Sequence, residues 1–169
     1  MTTISHIEAA AARIAPYLTP TMVEPAMGLG ANIWLKLENT NLTHSFKIRG
    51  ALNAALSLDT SAGARGLVTA SSGNHAQGLA YGAHLAGVSA RILMPAHTPQ
   101  RKIDGVRRYG GASVQALTDY ANYDAAESAA LQMAANEGLT FVSAYNHPHI
   151  IAGTGTIGLE IVTQRPAVA

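Results

Sequence analysis

Apolar residues at helical spacing predict a first helix near the N-terminus: Ile4, Ile7, Ala11 and Ile14. Ser5, with Glu8 three residues later, predicts a capping box at the start of this helix. Pro16 and Pro20 are expected to end it and to form an extended link. Apolar and polar side chains then alternate over residues 33–38, which predicts a strand.

From residue 46 onward, the pattern predicts a regular alternation of helices and short apolar strands. The predicted helices cover residues 46–58, 74–86, 99–109, 120–137 and about 150–162. The predicted strands cover residues 66–70, 88–94, 113–117 and 139–144. This order implies βαβ units, so the predicted fold class is α/β, a parallel sheet with flanking helices. Ligands of such sheets bind beyond the carboxyl ends of the strands, in the loops after Ala70, Met94, Leu117 and Ala144.

The composition narrows the possible partners. Charged residues make up 12% of the chain, about half the usual share, and the net charge is +1. This balance argues against nucleic acid or an anionic membrane as the main partner. The absence of cysteine excludes disulfides, cysteine zinc sites and a cysteine nucleophile. Since no secretory signal or bilayer-spanning apolar run is recognisable, a cytoplasmic protein is expected. No metal site is expected at His147-Pro148-His149.

Lys47 is the first candidate for chemistry. The chain has three lysines: Lys36, Lys47 and Lys102. Lys47 lies between Phe46 and Ile48 at a predicted loop-to-helix junction, where apolar neighbours and the nearby Arg49 disfavour its charged form. A neutral amine can form a Schiff base with an aldehyde, which is how lysines hold pyridoxal 5'-phosphate (PLP). The alternative is an ordinary surface lysine at the start of a helix.

The loop Ser71–His75 is the second candidate, because it joins a predicted strand to a predicted helix. Gly73 allows backbone conformations that other residues avoid. The first backbone N–H groups of the helix form an anion site that suits a carboxylate or phosphate. Polar side chains follow one another in the loop: Ser71, Ser72, Asn74 and His75. His75 can donate or accept a proton. The alternative is an ordinary helix cap, and without a glycine-rich phosphate fingerprint nucleotide binding is weakly supported.

Four blocks of the chain, in order and at matching spacing, closely resemble the serine/threonine dehydratase and serine racemase family of PLP enzymes. These blocks are Lys36–Asn39, Ser45–Ala51, Ser71–Gly78 and Ile151–Gly158. The resemblance covers essentially the whole chain and favours this branch over cysteine synthases and threonine synthases. It implies the fold-type II, tryptophan-synthase-β-like architecture, in which PLP lies between two α/β domains. Residues 1–51 would begin the large domain, 52–146 would form the small domain, and 147–169 would return to the large domain.

The resemblance also implies roles for the candidate residues. Lys47 would hold PLP in a Schiff base and move protons at the substrate Cα, with Phe46 packed beside the cofactor. Asn74 would hydrogen-bond the 3'-oxygen of PLP. The substrate carboxylate would be held by the loop residues Ser71, Ser72, Gly73, Asn74 and His75. Ser72 also matches the serine that acts as acid or base on the opposite face of Cα in racemases.

The implied reaction converts a small β-hydroxy amino acid to a 2-oxo acid and ammonia. Serine racemase activity is an open alternative. Members of the family are considerably longer, and their second half normally carries the loop that grips the PLP phosphate. We therefore expect this chain alone to be inactive or weakly active. A non-catalytic remnant, or a half that needs a partner chain, is a further alternative, and a homo-oligomer is expected otherwise.

Overall fold

The computed structural model describes residues 1–59 and 64–168, and its elements follow the predicted alternation over most of the chain. Six helices lie in the described residues: α1 (Ile4–Ile14), α2 (Lys47–Leu56), α3 (Asn74–Ala86), α4 (Gln100–Gly110), α5 (Tyr123–Glu137) and α6 (Pro148–Gln164). Six strands accompany them: β1 (Val23–Pro25), β2 (Trp34–Lys36), β3 (Leu67–Ala70), β4 (Ala90–Pro95), β5 (Val114–Tyr120) and β6 (Thr140–Phe141). Among these helices, none combines the length and apolar character needed to cross a bilayer.

Strands β3 to β6 form the predicted parallel sheet, in the spatial order β5-β4-β3-β6. Helices α3 and α4 pack on one face of this sheet, with α2 outside α3, and α5 packs on the other face. The chain moves outward from β3 to β4 and β5, then returns to the other side of β3 to form β6. This reversal creates a crevice at the carboxyl ends of β3 and β6, where doubly wound sheets bind ligands.

Helix α2 packs closely between α3 and α6 because glycines let the helix backbones approach each other. A Cβ atom added at Gly153 of α6 would lie 2.5 Å from the carbonyl oxygen of Arg49 and 2.8 Å from the Cβ of Asn53. On the other side, a Cβ at Gly82 of α3 would lie 2.9 Å from the Cβ of Ala55. These contacts hold α2 in place, and Lys47 is its first residue.

A buried network of ion pairs centres on Arg49, whose side chain is 1% exposed. Its Nε and Nη2 atoms donate to the Glu38 carboxylate at 2.8 and 2.9 Å. Its Nη1 and Nη2 atoms donate to the Glu160 carboxylate at 2.6 and 2.8 Å. Lys36 adds a second cation, with Nζ 2.6 Å from Glu160. Four charges of balanced sign therefore link the segment around β2 to α2 and α6.

The network shifts the titration of its members. Burial opposes the charged guanidinium, but hydrogen bonds to Glu38 and Glu160 outweigh it and raise the pKa of Arg49. Burial likewise opposes the charged form of Glu160, but hydrogen bonds from Arg49 and Lys36 lower its pKa below the ordinary value. The carboxylates of Glu38 and Glu160 balance the positive charge of Arg49. They therefore weaken the repulsion between Arg49 and Lys47 that the sequence suggested.

Three local predictions were wrong at the ends of elements. Thr3, rather than Ser5, caps α1, because the Thr3 N–H donates to Nδ1 of His6 at 3.1 Å. Tyr120 belongs to β5 instead of the next helix, because its backbone pairs with Pro95 of β4. Strand β6 has two residues instead of the six predicted, because only Thr140 and its neighbour Phe141 pair with β3.

Strand β1 was not predicted. It pairs antiparallel with β2, with Val23 opposite Lys36 and Pro25 opposite Trp34. Three residues are too short a run to give a recognisable alternation, and a proline within the run argues against a strand, so the sequence offered no clear strand signal there. The predicted extended link after α1 therefore contains half of a two-stranded sheet.

The contact between α2 and α6 gives a first prediction. Gly153→Ala should lower the free energy of unfolding by roughly 1–3 kcal/mol, because the new methyl group meets backbone atoms that cannot move aside. Gly158→Ala in the same helix is the matched control. A Cβ at Gly158 meets nothing within 4 Å, so better helix propensity should stabilise the protein by up to about 1 kcal/mol. Urea unfolding of both variants measures the difference, and equal effects would contradict the close packing.

Candidate active site

The crevice at the carboxyl end of β3 forms a cleft of about 320 Å³. Its lining includes all seven predicted site residues and four others. The full set is Ser45, Phe46, Lys47, Ser71, Ser72, Gly73, Asn74, His75, Tyr123, Ala144 and Tyr145. Larger clefts of about 440 and 490 Å³ lie elsewhere on the protein, and neither contains Lys47 or the Ser71–His75 loop. The fold thus brings together two sequence motifs that are separated along the chain.

Lys47 is the first residue of α2, and its side chain reaches into the cleft. Its backbone N–H donates to the hydroxyl oxygen of Ser45 at 3.2 Å, which helps to fix the start of the helix. Its Nζ donates to the carbonyl oxygen of Ala144 at 3.0 Å. The same nitrogen lies 5.2 Å from the ring centroid of Phe46 and 5.0 Å from that of Tyr145. The amine therefore has three close partners at the mouth of the crevice.

The Ser71–His75 loop turns directly from β3 into α3. The Ser71 N–H donates to the carbonyl oxygen of Leu93 at 3.0 Å, and the Gly73 N–H donates to the Ser71 hydroxyl oxygen at 3.3 Å. Helix α3 begins at Asn74, so the backbone N–H groups of its first turn have no acceptor within the helix. These donors, together with the positive end of the helix dipole, form an anion site at the cleft.

Gly73 lies directly before the first residue of α3. Its backbone angles are φ −128° and ψ −147°, so φ lies outside the left-handed region that favours glycine. A Cβ atom at Gly73 would meet no atom within 4 Å. Neither the backbone nor the packing of this chain therefore requires glycine. The free space beside the N-terminus of α3 leaves room for a ligand to approach the backbone closely.

His75 is 3% exposed, and its imidazole points from the loop into the protein interior. Its Nε2 lies 3.3 Å from the carbonyl oxygen of Val142, so Nε2 carries the hydrogen and Nδ1 keeps a lone pair. Nδ1 is buried and has no hydrogen-bond partner among the described residues. Burial lowers the pKa of His75 to about 4, because its effect is larger than that of the hydrogen bond to Val142, which raises the pKa. The nearby charges of Lys47 and His147 lower the pKa further. The side chain is therefore neutral at neutral pH.

Ser72 and Asn74 present free polar groups to the cleft. Neither the Ser72 hydroxyl nor the Asn74 side-chain amide makes a hydrogen bond within the described part of the chain. Phe46 is 40% exposed beside Lys47, which leaves one side of its ring open. Free polar groups and an open aromatic ring are suited to a flat, polar ligand such as a pyridine ring.

Two tyrosines were not predicted as site residues. Tyr145 follows Ala144, in one of the loops where the parallel-sheet rule placed ligands, so a signal for it was present. Tyr123 begins α5, and its hydroxyl donates to Glu127 at 3.1 Å. Burial, with the neighbouring Glu127 carboxylate, raises the pKa of Tyr123 to about 12, so the hydroxyl stays protonated.

No group of potential metal ligands is found in the described residues, and the rings of His147 and His149 lie 5.6 Å apart.

Comparisons with known proteins agree with this arrangement. A family model described as "Pyridoxal-phosphate dependent enzyme" matches residues 14–169. The L-threonine dehydratase biosynthetic IlvA of Burkholderia multivorans is 43% identical over 157 residues, which cover 90% of this chain and 31% of that protein. The L-threonine ammonia-lyase of Geobacter sulfurreducens is 46% identical over 141 residues, which cover 83% of this chain and 34% of that protein. The chain thus spans about a third of the length of these curated relatives.

Solved structures show the same likeness in three dimensions. Maize serine racemase superposes with a TM-score of 0.88 at 33% identity, covering 99% of this chain and 51% of that one. The processed form of threonine deaminase isoform 2 from Solanum lycopersicum gives a TM-score of 0.84 at 35% identity, covering 95% of this chain and 48% of that one. The architecture described above is therefore that of about half of each of these proteins.

The buried imidazole of His75 predicts a pH-dependent stability. Between pH 6.5, its ordinary pKa, and pH 4, the unfolded chain binds a proton that the folded chain does not, so stability is lost as pH falls. From pH 7 to pH 5 this linkage should lower the free energy of unfolding by about 2 kcal/mol. His75→Gln keeps a donor for Val142 but cannot titrate, so it should remove that part of the pH dependence. Urea unfolding at both pH values tests this, and an unchanged slope in the variant would contradict the neutral, buried imidazole.

Proposed function

Since this chain belongs to the pyridoxal-phosphate dependent enzyme family, we propose that it anchors PLP in a threonine/serine ammonia-lyase, which converts a β-hydroxy amino acid to a 2-oxo acid and ammonia. The observation that carries the proposal is the meeting of a lysine amine and a helix N-terminus in one cleft. Lys47 offers the nucleophile for the cofactor aldehyde, and α3 offers donors for an anion.

The residues present fit the cofactor. Lys47 would hold it covalently, Phe46 would pack against its ring, and the free amide of Asn74 would bond its 3'-oxygen. The open space beside Gly73 permits close approach to the backbone. Bound PLP supplies an electron sink that makes the Cα proton of an amino acid removable.

The Ser71–His75 loop would hold the substrate. The hydroxyls of Ser71 and Ser72 and the amides at the start of α3 would bind the carboxylate, because charge-assisted hydrogen bonds to an anion are stronger than neutral ones. His75 would contribute its backbone N–H, while its neutral imidazole stays bonded to Val142. This assignment keeps the loop rigid during binding.

Lys47 would also move the proton. Its Nζ would take the proton from the substrate Cα and pass it to the departing β-hydroxyl, which would leave as water. A substrate held by its carboxylate at the start of α3 would face Lys47 across the cleft, so the proton would travel over a short distance.

Threonine is the first substrate to test, because the two curated relatives above are named for threonine. Serine differs from it by one methylene equivalent, which a pocket discriminates by about 1–3 kcal/mol, so both remain in the proposed substrate class. A cytoplasmic location, a homo-oligomer and the three predicted domain segments stay predictions.

An absorbance titration tests the cofactor assignment. After unbound PLP has been removed, the native chain should retain a visible band that borohydride reduction removes while the cofactor stays attached to the protein. Lys47→Ala should lose this retained band because it has no amine in the cleft, whereas Lys102→Ala, changed on α4, should keep it. A band that persists in Lys47→Ala would contradict the assignment.

A partner-dependent chain is the alternative outcome of that titration. Large apolar side chains are exposed on and around the β1–β2 pair: Met22, Met27, Leu29, Ile33 and Leu35. A two-stranded sheet is marginally stable in water by itself, so this face is suited to packing against further polypeptide. A folded native chain that shows no band would favour this reading.

Serine racemase is a second candidate function, favoured by the free hydroxyl of Ser72 in the cleft and by the likeness to the maize serine racemase structure. For this function, Lys47 would exchange a proton with one face of Cα and Ser72 with the opposite face. Each enantiomer of serine would therefore need its own base.

Exchange of the Cα hydrogen in deuterated water separates the two candidates. If racemase chemistry operates, D-serine should exchange in the native protein, and Ser72→Ala should slow that exchange by about 10²–10⁴-fold while L-serine exchange continues. NMR follows both enantiomers. Exchange of L-serine without exchange of D-serine in the native protein would reject the racemase.

A further inference from the structure

Two aromatic rings flank the reactive nitrogen of Lys47. The Nζ atom lies 5.2 Å from the centroid of Phe46 and 5.0 Å from that of Tyr145, both within the range of cation–π attraction. The third partner is the carbonyl oxygen of Ala144 at 3.0 Å, which accepts a hydrogen bond from the nitrogen. All three contacts favour a positively charged donor at this position.

This arrangement opposes the chemistry that the nitrogen must perform. Only the neutral amine has the lone pair that attacks an aldehyde. The face of an aromatic ring attracts the ammonium through its quadrupole, and this attraction is lost when the nitrogen gives up its proton. Each ring therefore lowers the reactivity of the Lys47 nitrogen toward an aldehyde while it remains in place.

Tyr145 differs from Phe46 in how it is held. Phe46 adjoins Lys47 in the chain, whereas Tyr145 arrives from the loop after β6. Tyr145 is 70% exposed, and its hydroxyl has no hydrogen-bond partner in the described part of the chain. Its ring lies at the cleft beside Tyr123, whose pKa its presence helps to raise. Because most of the side chain is exposed and its hydroxyl has no partner among the described residues, the ring meets little resistance to displacement by a ligand that enters the cleft.

We propose that Tyr145 is a positioning residue whose ring face lowers the reactivity of the Lys47 amine until a ligand displaces the ring. The proposal rests on the proposed function in one respect, that Lys47 is the nucleophile. The ring face, and not the hydroxyl, performs this task. Its removal should therefore make the Lys47 amine more reactive even without cofactor.

Competitive acetylation measures that reactivity directly. Acetic anhydride transfers an acetyl group to neutral amines and releases acetate, and mass spectrometry reports each lysine separately. The chain has only three lysines, so the readout is simple. Lys102, on α4 and away from the cleft, provides the internal reference, and the Lys47/Lys102 ratio cancels differences in reagent and time.

Three variants separate the ring face from other properties of the side chain. Tyr145→Phe keeps the ring and should match the native ratio. Tyr145→Leu and Tyr145→Ala lack a ring face, and both should raise the ratio by the same factor, about two- to fivefold, which corresponds to about 0.5–1 kcal/mol. Because Tyr145 is exposed, all three should retain the native unfolding midpoint.

Two outcomes would overturn the proposal. A ratio that stays native in Tyr145→Leu and Tyr145→Ala would show that the ring has no influence on the amine. A graded rise from Tyr145→Phe to Tyr145→Leu to Tyr145→Ala would show that the side chain only shields Lys47 by its size. The experiment contains no PLP, so its result is independent of whether the native chain develops a cofactor band.

Discussion

The guanidinium of Arg49, held between Glu38 and Glu160, is the interaction on which the rest of the structure depends. It joins the segment around β2, helix α2 and the long helix α6 at one buried point. Removal of one partner would leave a buried charge without compensation, which typically costs 3–5 kcal/mol. Because Arg49 lies two residues after Lys47, the same contacts that join the segments also fix the start of α2.

The site is built mainly from backbone. Glycine contacts set the distance of α2 from its neighbours, the turn after β3 supplies amide donors, and a carbonyl oxygen receives the Lys47 amine. The neutral imidazole of His75 donates to the carbonyl oxygen of Val142 and so ties the loop to the residue that follows β6. Few charged side chains are therefore needed in the cleft, which leaves its single lysine without a carboxylate partner.

Local patterns revealed the elements, but contacts between distant residues remained hidden. The bounds of α3 agree with the prediction because Gly73 and Gly87 mark both of its ends. Lys47 and the Ser71–His75 loop could be singled out as candidates from short runs of neighbouring residues, but the contact of Lys47 with Ala144 joins residues 97 positions apart.

Other features depend on the folded structure. The pairing of Arg49 with Glu160 joins residues 111 positions apart, and no periodicity reports such a contact. The neutral state of His75 likewise depends on burial by other elements, and the position of Tyr145 above Lys47 follows from where β6 ends.

The shortness of β6 has a consequence at the edge of the sheet. In the part of the chain that the structure describes, the strand at this edge is two residues long, so another chain finds little backbone to extend by strand addition. A longer edge strand would carry the following residues along the ladder and away from the crevice. The short β6 thus disfavours association through this edge of the sheet. It also lets the residues that follow turn away from the sheet and cross the carboxyl end of β3.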